Sequence, residues 1–310
     1  MTEPGDRVLV LDNGIYGRGF ADFVSMYGGC PELYSRDYRE TLDVQELEAF
    51  LKEHHDYKYA TVVHGDTPSG MLNDVSAICP LLKKYGIMTV VDSVSASFGE
   101  PMRISDWQID IMCGGSQKVV SAPPGLTFVV ISDDAKKAMT ERKTPIGRRF
   151  YANLTTFAHY YEEKWFPYTM PISDIYGLRA AIDNIAADPD ILARHEKIAE
   201  ASRKAITEAG LSLYLKSGFS STVTVFEVPE GLLQPPFSMV SKKITISCLQ
   251  VLLMYLQAKS SALDIWEIML IFTMSVRFLP HWTELLPKLG VPLKSKHGGN
   301  FLRQHEIKSI

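Results

Sequence analysis

Short apolar runs rich in β-branched residues alternate along the chain with segments whose apolar positions recur every three or four residues. Residues 7–11 (RVLVL), 59–63 (YATVV), 87–91 (IMTVV), 109–112 and 126–131 are continuous apolar runs closed by Gly, Asp or Asn, the pattern of buried strands. Between them, residues 16–26 place Phe20, Phe23 and Val24 on one helical face, and residues 44–54 do the same with Leu47, Phe50 and Leu51. Residues 73–85 predict a third helix with Gly86 as its C-terminal stop, and 133–142 a fourth. Strands alternating with helices predict an α/β domain around a mostly parallel sheet. Beyond residue 153 the pattern is mainly helical. Residues 173–186, with Ser173 as the expected N-cap, and 190–209 are amphipathic, and 221–228 (STVTVFEV) returns to strand. This marks the start of a smaller second domain.

Charge and cysteine content narrow the function classes. Thirty-two basic against 36 acidic side chains leave a formal net charge of −4, so the chain lacks the basic surface that displaces counterions from nucleic acid. The 4 cysteines (Cys30, Cys79, Cys113, Cys248) are widely spaced without a CxxC pair, which predicts reduced thiols in a cytoplasmic protein rather than a disulfide framework or zinc cluster. The first residues lack the basic and apolar regions of a signal peptide, and no uninterrupted apolar run approaches the roughly 20 residues of a membrane span. Beyond about residue 230 the composition changes, becoming dense in Ile, Leu and Met with few acidic residues.

The chemistry-bearing residues gather where the predicted strands end, which in such sheets is where ligands bind. Four strand ends carry Asn13-Gly14-Ile15-Tyr16-Gly17, then His64-Gly65-Asp66-Thr67-Pro68-Ser69-Gly70, then Asp92-Ser93-Val94-Ser95, and last Gly114-Gly115-Ser116-Gln117-Lys118. A lysine behind an apolar strand and a Gly-Gly-Ser turn is held near the sheet. Partial desolvation there makes its amine a nucleophile able to form a Schiff base. An aspartate ending a buried strand serves as a helix cap or as a partner for a cation. Together the two meet the requirements of pyridoxal phosphate, which takes a lysine at its aldehyde and a carboxylate at its pyridinium nitrogen. Tyr16 can give the ring an aromatic face or simply pack at a helix start, Thr67 can bond the ring hydroxyl or merely turn the chain before Pro68, and His64 can orient neighbours or sit satisfied in the core.

HGDTPSG, TVVDSVSASFG and GGSQKVVSAPPGL, in this order and spacing, resemble the class V pyridoxal-phosphate aminotransferases, and within them the alanine–glyoxylate and serine–pyruvate group. The later run from Trp165 to Pro171, followed by Ile175-Tyr176-Gly177-Leu178-Arg179, is similar to the family's next landmark, so the resemblance spans about residues 5–230. It implies the α/β fold type I large domain, a mostly parallel sheet flanked by helices, over residues 1–165. Connecting helices and the start of an incomplete small α+β domain would follow over 166–230. It also implies roles for individual residues. Lys118 would carry the cofactor and shuttle the proton, Asp92 would pair with the pyridinium nitrogen, and Tyr16 and Val94 would pack on opposite ring faces. Thr67 would bond the ring hydroxyl and Gln117 would approach the phosphate. Thr169 would reach the phosphate of a neighbouring subunit, implying a homodimer with shared active sites. Phe166 stands where many relatives carry a tyrosine, which removes one phosphate contact.

The resemblance implies transamination of a small amino acid, alanine or serine, with glyoxylate or pyruvate. The spellings DTPSG and FPYT are also similar to pyridoxamine–pyruvate aminotransferase, which keeps the amino donor open. Family members begin several dozen residues earlier, with a Gly/Ser/Thr-rich loop for the cofactor phosphate, so weakened cofactor binding is expected of a chain opening past that loop. The family's carboxylate-binding RIGHMG-like stretch does not stand in the second domain as written. Joining the third base of each codon to the first two of the next permits RIGHMG within residues 259–270, so residues 231–310 are expected to be an aberrant tail in a shifted frame, with a divergent C-terminal domain as the alternative. A catalytically impaired member of the family is the rival expectation. A dinucleotide oxidoreductase is disfavoured because Gly14, Gly17 and Gly19 stand in the order GxxGxG, and a hydrolase because Gly115-Ser116-Gln117 lacks the GxSxG elbow.

Overall fold

The structure, a computed structural model, describes residues 1–144, 153–166 and 168–227, and the backbone of 243–247. The fully apolar runs become the central strands because both of their faces are covered. Strand β1 (Arg7–Asp12) leads into helix α1 (Ile15–Met26) and strand β2 (Cys30–Ser35). Helix α2 (Val44–Glu53), strand β3 (Tyr59–Val63), the short hairpin β4 (Gly65–Asp66) and β5 (Met71–Leu72), and helix α3 (Val75–Lys84) follow. Next come β6 (Met88–Asp92), β7 (Ile111–Gly115), β8 (Thr127–Ile131) and α4 (Asp133–Thr140). The last described elements are a 3₁₀ turn (Leu154–Phe157), α5 (Ile172–Ala186), α6 (Ile191–Glu208), β9 (Val223–Glu227) and β10 (Lys243–Ser247).

The six-stranded sheet runs β2-β1-β3-β6-β7-β8. Its strands are parallel except β8, which pairs antiparallel with β7. One face of β1 puts Leu9 and Leu11 against Leu47, Leu51, Ile78 and Leu82 of α2 and α3. The other puts Val8 and Val10 against Val24 and Phe20 of α1. Helices on both faces explain why β1 and β3 carry no polar alternation, and each buried leucine contributes about 2 kcal/mol of transfer free energy.

The predicted elements are present with ends shifted by a few residues, and three differences have physical reasons. Strand β2 goes unpredicted because it is a half-exposed edge strand with Pro31 in it, so it shows neither an apolar run nor clean alternation. Gly114 and Gly115 lie inside β7 rather than ending it. A Cβ on Gly114 would meet the Phe128 ring at 2.1 Å, so the glycine lets the ring of the antiparallel neighbour lie across the strand. Ser173 is not an N-cap: α5 starts one residue earlier behind Pro171, whose locked φ and missing N–H suit a helix start. Caps do form elsewhere, where Asp43 accepts from Gln45 and Glu46 N–H and Asp74 from Ala77 N–H.

Strand β10 pairs antiparallel with β9 in a separate two-stranded sheet. Otherwise the readings placed on residues 231–310, including the shifted frame, lie outside the described residues, as do Val228, Pro167 and Cys248. Among the described residues no helix is long and apolar enough to cross a membrane.

Candidate active site

Four consecutive positions in the sheet bring four loops to one edge. The carboxyl ends of β1, β3, β6 and β7 carry Tyr16, Thr67, Asp92 and Lys118 in turn. Register does this work: Val63 lies opposite Asp92, and Asp92 opposite Cys113, so the parallel strands end nearly level.

Lys118 stands in a turn pinned from both sides. The buried Ser116 hydroxyl donates to the Pro123 carbonyl at 2.6 Å and accepts from Leu126 N–H at 3.3 Å. Ser121 N–H closes the turn on the Lys118 carbonyl at 2.9 Å, with Ser121 itself at φ 59°, in the left-handed region. Helix α5 packs close against this loop, since a Cβ on Gly177 would lie 2.8 Å from Pro123 Cδ. The side chains of Gln117 and Lys118 remain exposed. With Thr67 and Ser95 they line a cleft of about 490 Å³, which is also lined by Asn184 of α5, Asp188 of the α5–α6 connection, and Arg194 and His195 of α6. Asp188 and Arg194 form an ion pair there, and burial lowers the His195 imidazole.

Asp92 ends β6 with one oxygen accepting from Val94 N–H at 2.9 Å. Burial pushes its carboxyl above the ordinary aspartate value, as does the negative charge of Asp66, while the Val94 N–H and the positive charge of Lys118 pull it back. Among the described residues no basic side chain forms a salt bridge with Asp92, so its carboxylate is a poorly solvated charge open to a cation. Thr67 donates to Ser95 Oγ at 2.9 Å, which fixes its hydroxyl at the cleft wall. Val94 packs over Gly115, where an added Cβ would lie 3.3 Å from Val94 Cγ1 and 2.9 Å from Gln117 Oε1. Tyr16 is 51% exposed and is tied to the same cluster through Asp66, which accepts from its backbone N–H. Thr169 is exposed and does not line the cleft.

His64 is a core histidine. It is buried, its Nδ1 lies 3.1 Å from Ser93 Oγ, and it meets the Trp107 ring edge-on. Burial lowers its imidazole from 6.5 to about 4. In the unfolded chain it titrates near 6.5, so between that value and about 4 the unfolded state binds more protons and stability rises with pH. This contribution, about 3 kcal/mol, is complete above pH 6.5 and lost as pH falls through about 4. His64→Gln is expected to flatten the thermal-unfolding midpoint across this window. An unchanged slope would place the acid sensitivity elsewhere.

Two side chains of the site carry no role in the sequence reading. Asp66 is buried among hydroxyl and amide donors, and its only signal is an Asx-type turn, Asp66 followed three residues later by Ser69. Ser95 is one serine among several in TVVDSVSASFG, and its bond to Thr67 appears only when β3 and β6 lie side by side.

Residues 31–226 match the family model "Aminotransferase class-V". The chain belongs to the class V aminotransferases. It is 34% identical over 243 residues to pyridoxamine–pyruvate transaminase of Mesorhizobium japonicum, covering 75% of this chain and 60% of that protein. It is 32% identical over 247 residues to an uncharacterized aminotransferase of Methanocaldococcus jannaschii, covering 78% and 64%. The solved alanine–glyoxylate aminotransferase of Nostoc sp. superposes with a TM-score of 0.71 at 27% identity, covering 74% of this chain and 62% of that one. The chain thus spans about three fifths of the length of the aminotransferases it matches. The mostly parallel sheet flanked by helices is the fold type I large domain of these enzymes.

Proposed function

We propose that this class V chain transaminates a small amino acid, alanine or serine, with glyoxylate or pyruvate as acceptor, using pyridoxal phosphate carried by Lys118. The observation that carries this reading is the pairing of a lysine and a buried, cation-deficient aspartate at adjacent strand ends, beside a cleft lined by Thr67 and Ser95. The residues fit the cofactor: an amine for its aldehyde, a carboxylate for its ring nitrogen, and a fixed hydroxyl for its ring oxygen. Bound pyridoxal phosphate supplies an electron sink conjugated to the reacting carbon.

Lys118 would hold the cofactor through its ε-amine and would act as the base that takes the proton from the substrate Cα. Its exposure, and the absence of a fixed hydrogen-bond or ion-pair partner among the described residues, leave it free to move between these tasks. Asp92 would keep the ring nitrogen protonated, and that cation would offset the cost of burying the carboxylate. Thr67, oriented by Ser95, bonds the ring hydroxyl. Val94 and Tyr16 pack on the two ring faces, and Gln117 approaches the phosphate. Thr169 serves the phosphate of a second copy of the chain, in a cytoplasmic homodimer.

The test is turnover of the purified chain with pyridoxal phosphate, L-alanine or L-serine, and glyoxylate or pyruvate. Release of the corresponding 2-oxo acid is expected. Cofactor binding without turnover would overturn the activity and leave an impaired member of the family. The 34% identity to pyridoxamine–pyruvate transaminase favours one alternative donor. Pyridoxal released from pyridoxamine and pyruvate, without added cofactor, would establish it.

A further inference from the structure

Helix α1 begins without a cap of its own. Gly14, its N-cap residue, has no side chain to offer, and no acidic residue stands in the first turn. The acceptor comes from another loop: Asp66 Oδ1 takes the Tyr16 N–H at 3.2 Å. Room for it exists because residue 14 is glycine, since a Cβ there would lie 2.5 Å from Asp66 Cγ and 2.8 Å from either oxygen. The other oxygen, Oδ2, accepts from Ser69 N–H at 3.1 Å and Ser69 Oγ at 2.6 Å. The Asp66 carbonyl accepts from Gly70 N–H at 2.8 Å, closing the turn that carries Thr67. Asp66 is 2% exposed, and among the described residues no basic side chain forms a salt bridge with it. Its charge is held by these donors and by the positive end of the α1 dipole.

We infer that Asp66 is a positioning residue of the active site: one buried carboxylate sets both the helix start that presents Tyr16 and the turn that presents Thr67, so that ring face and hydroxyl are held in a single register. Asp66 touches neither substrate nor cofactor in this role. It acts through Tyr16 and Thr67, and its charge acts at a distance on the neighbouring ionisable groups. The inference rests on the cofactor reading above. It also explains why the Gly14-Ile15-Tyr16-Gly17 sequence carries its first glycine: the residue makes space for a carboxylate, not for a dinucleotide phosphate.

Asp66→Asn keeps the shape and one acceptor oxygen but removes the charge. Gly14→Ala disturbs the same contact from the other side and leaves the charge in place, serving where the asparagine variant folds poorly. In the cofactor-free full chain, both variants are expected to speed amide hydrogen exchange over residues 15–18. With pyridoxal phosphate, both are expected to raise its dissociation constant about tenfold and to weaken the visible circular dichroism of the bound cofactor. Asp66→Asn alone is expected to move the pH midpoint of the cofactor's absorbance change downward by about half a unit, because a negative charge beside a protonated group has been removed. Wild-type cofactor affinity, dichroism and amide exchange in both variants would overturn the role of Asp66 and leave the cofactor reading standing. Absence of any lysine-bound cofactor band in the wild-type chain would overturn that reading, and the positioning role with it.

Discussion

Lys118→Ala is expected to slow transamination of L-alanine with glyoxylate by about a thousandfold or more while leaving the thermal-unfolding midpoint of the cofactor-free chain unchanged. The two halves of this expectation come from different facts. The side chain is exposed and makes no fixed hydrogen bond or ion pair among the described residues, so its truncation removes nothing the fold depends on. The turn that carries it is held by Ser116 and by the backbone of Ser121, neither of which touches the amine. The proposed chemistry, in contrast, uses the amine twice, once to hold the cofactor and once to move the Cα proton. Absorbance of the cofactor-loaded chain gives a second readout, because the lysine-bound band is expected to vanish. Turnover within tenfold of wild type would remove Lys118 from the proposed mechanism.

Asp92→Asn is expected to lower turnover about a hundredfold or more and to leave the cofactor-free protein equally or more stable. The amide retains an oxygen to accept the Val94 N–H, so the hydrogen bond at the end of β6 survives. What disappears is a buried negative charge beside Asp66, a charge that desolvation disfavours in the empty protein. In the proposed mechanism that charge would keep the ring nitrogen of the bound cofactor protonated, which a neutral amide could not do. The measurements are kcat with saturating cofactor and the unfolding midpoint without it. Loss of stability together with full activity would make Asp92 a structural cap, the other reading of an aspartate in this position.

Elements buried on both faces, or amphipathic along their length, are legible without coordinates. The apolar runs of β1, β3 and β6 and the helical spacing of α1 and α2 are examples, because the solvent on each side of an element imprints its period on the side chains. Edge strand β2 is illegible for the same reason: Pro31 and half-exposure erase the period. The start of α5 is misplaced at Ser173 because a serine is a better cap by composition, whereas Pro171 decides the start by stereochemistry.

The site divides along similar lines. Lys118, Asp92, Thr67 and Tyr16 stand out in the chain because each ends an apolar run, and a strand end in a parallel sheet is a predictable place for chemistry. Their order in space is not written in any one segment. It follows from the strand order β1-β3-β6-β7, which sets side by side four loops separated by up to a hundred residues. The Thr67–Ser95 bond and the clamp of Asp66 on Tyr16 are products of that adjacency. Local patterning is a property of each segment and its solvent, so the amino-acid order alone is enough to establish the α/β class, the strand ends and the types of reactive group they carry. That Thr67 and Lys118 share a cleft, and that Asp66 accepts from the start of α1, depends on register between distant strands. That information exists only once the sheet has closed.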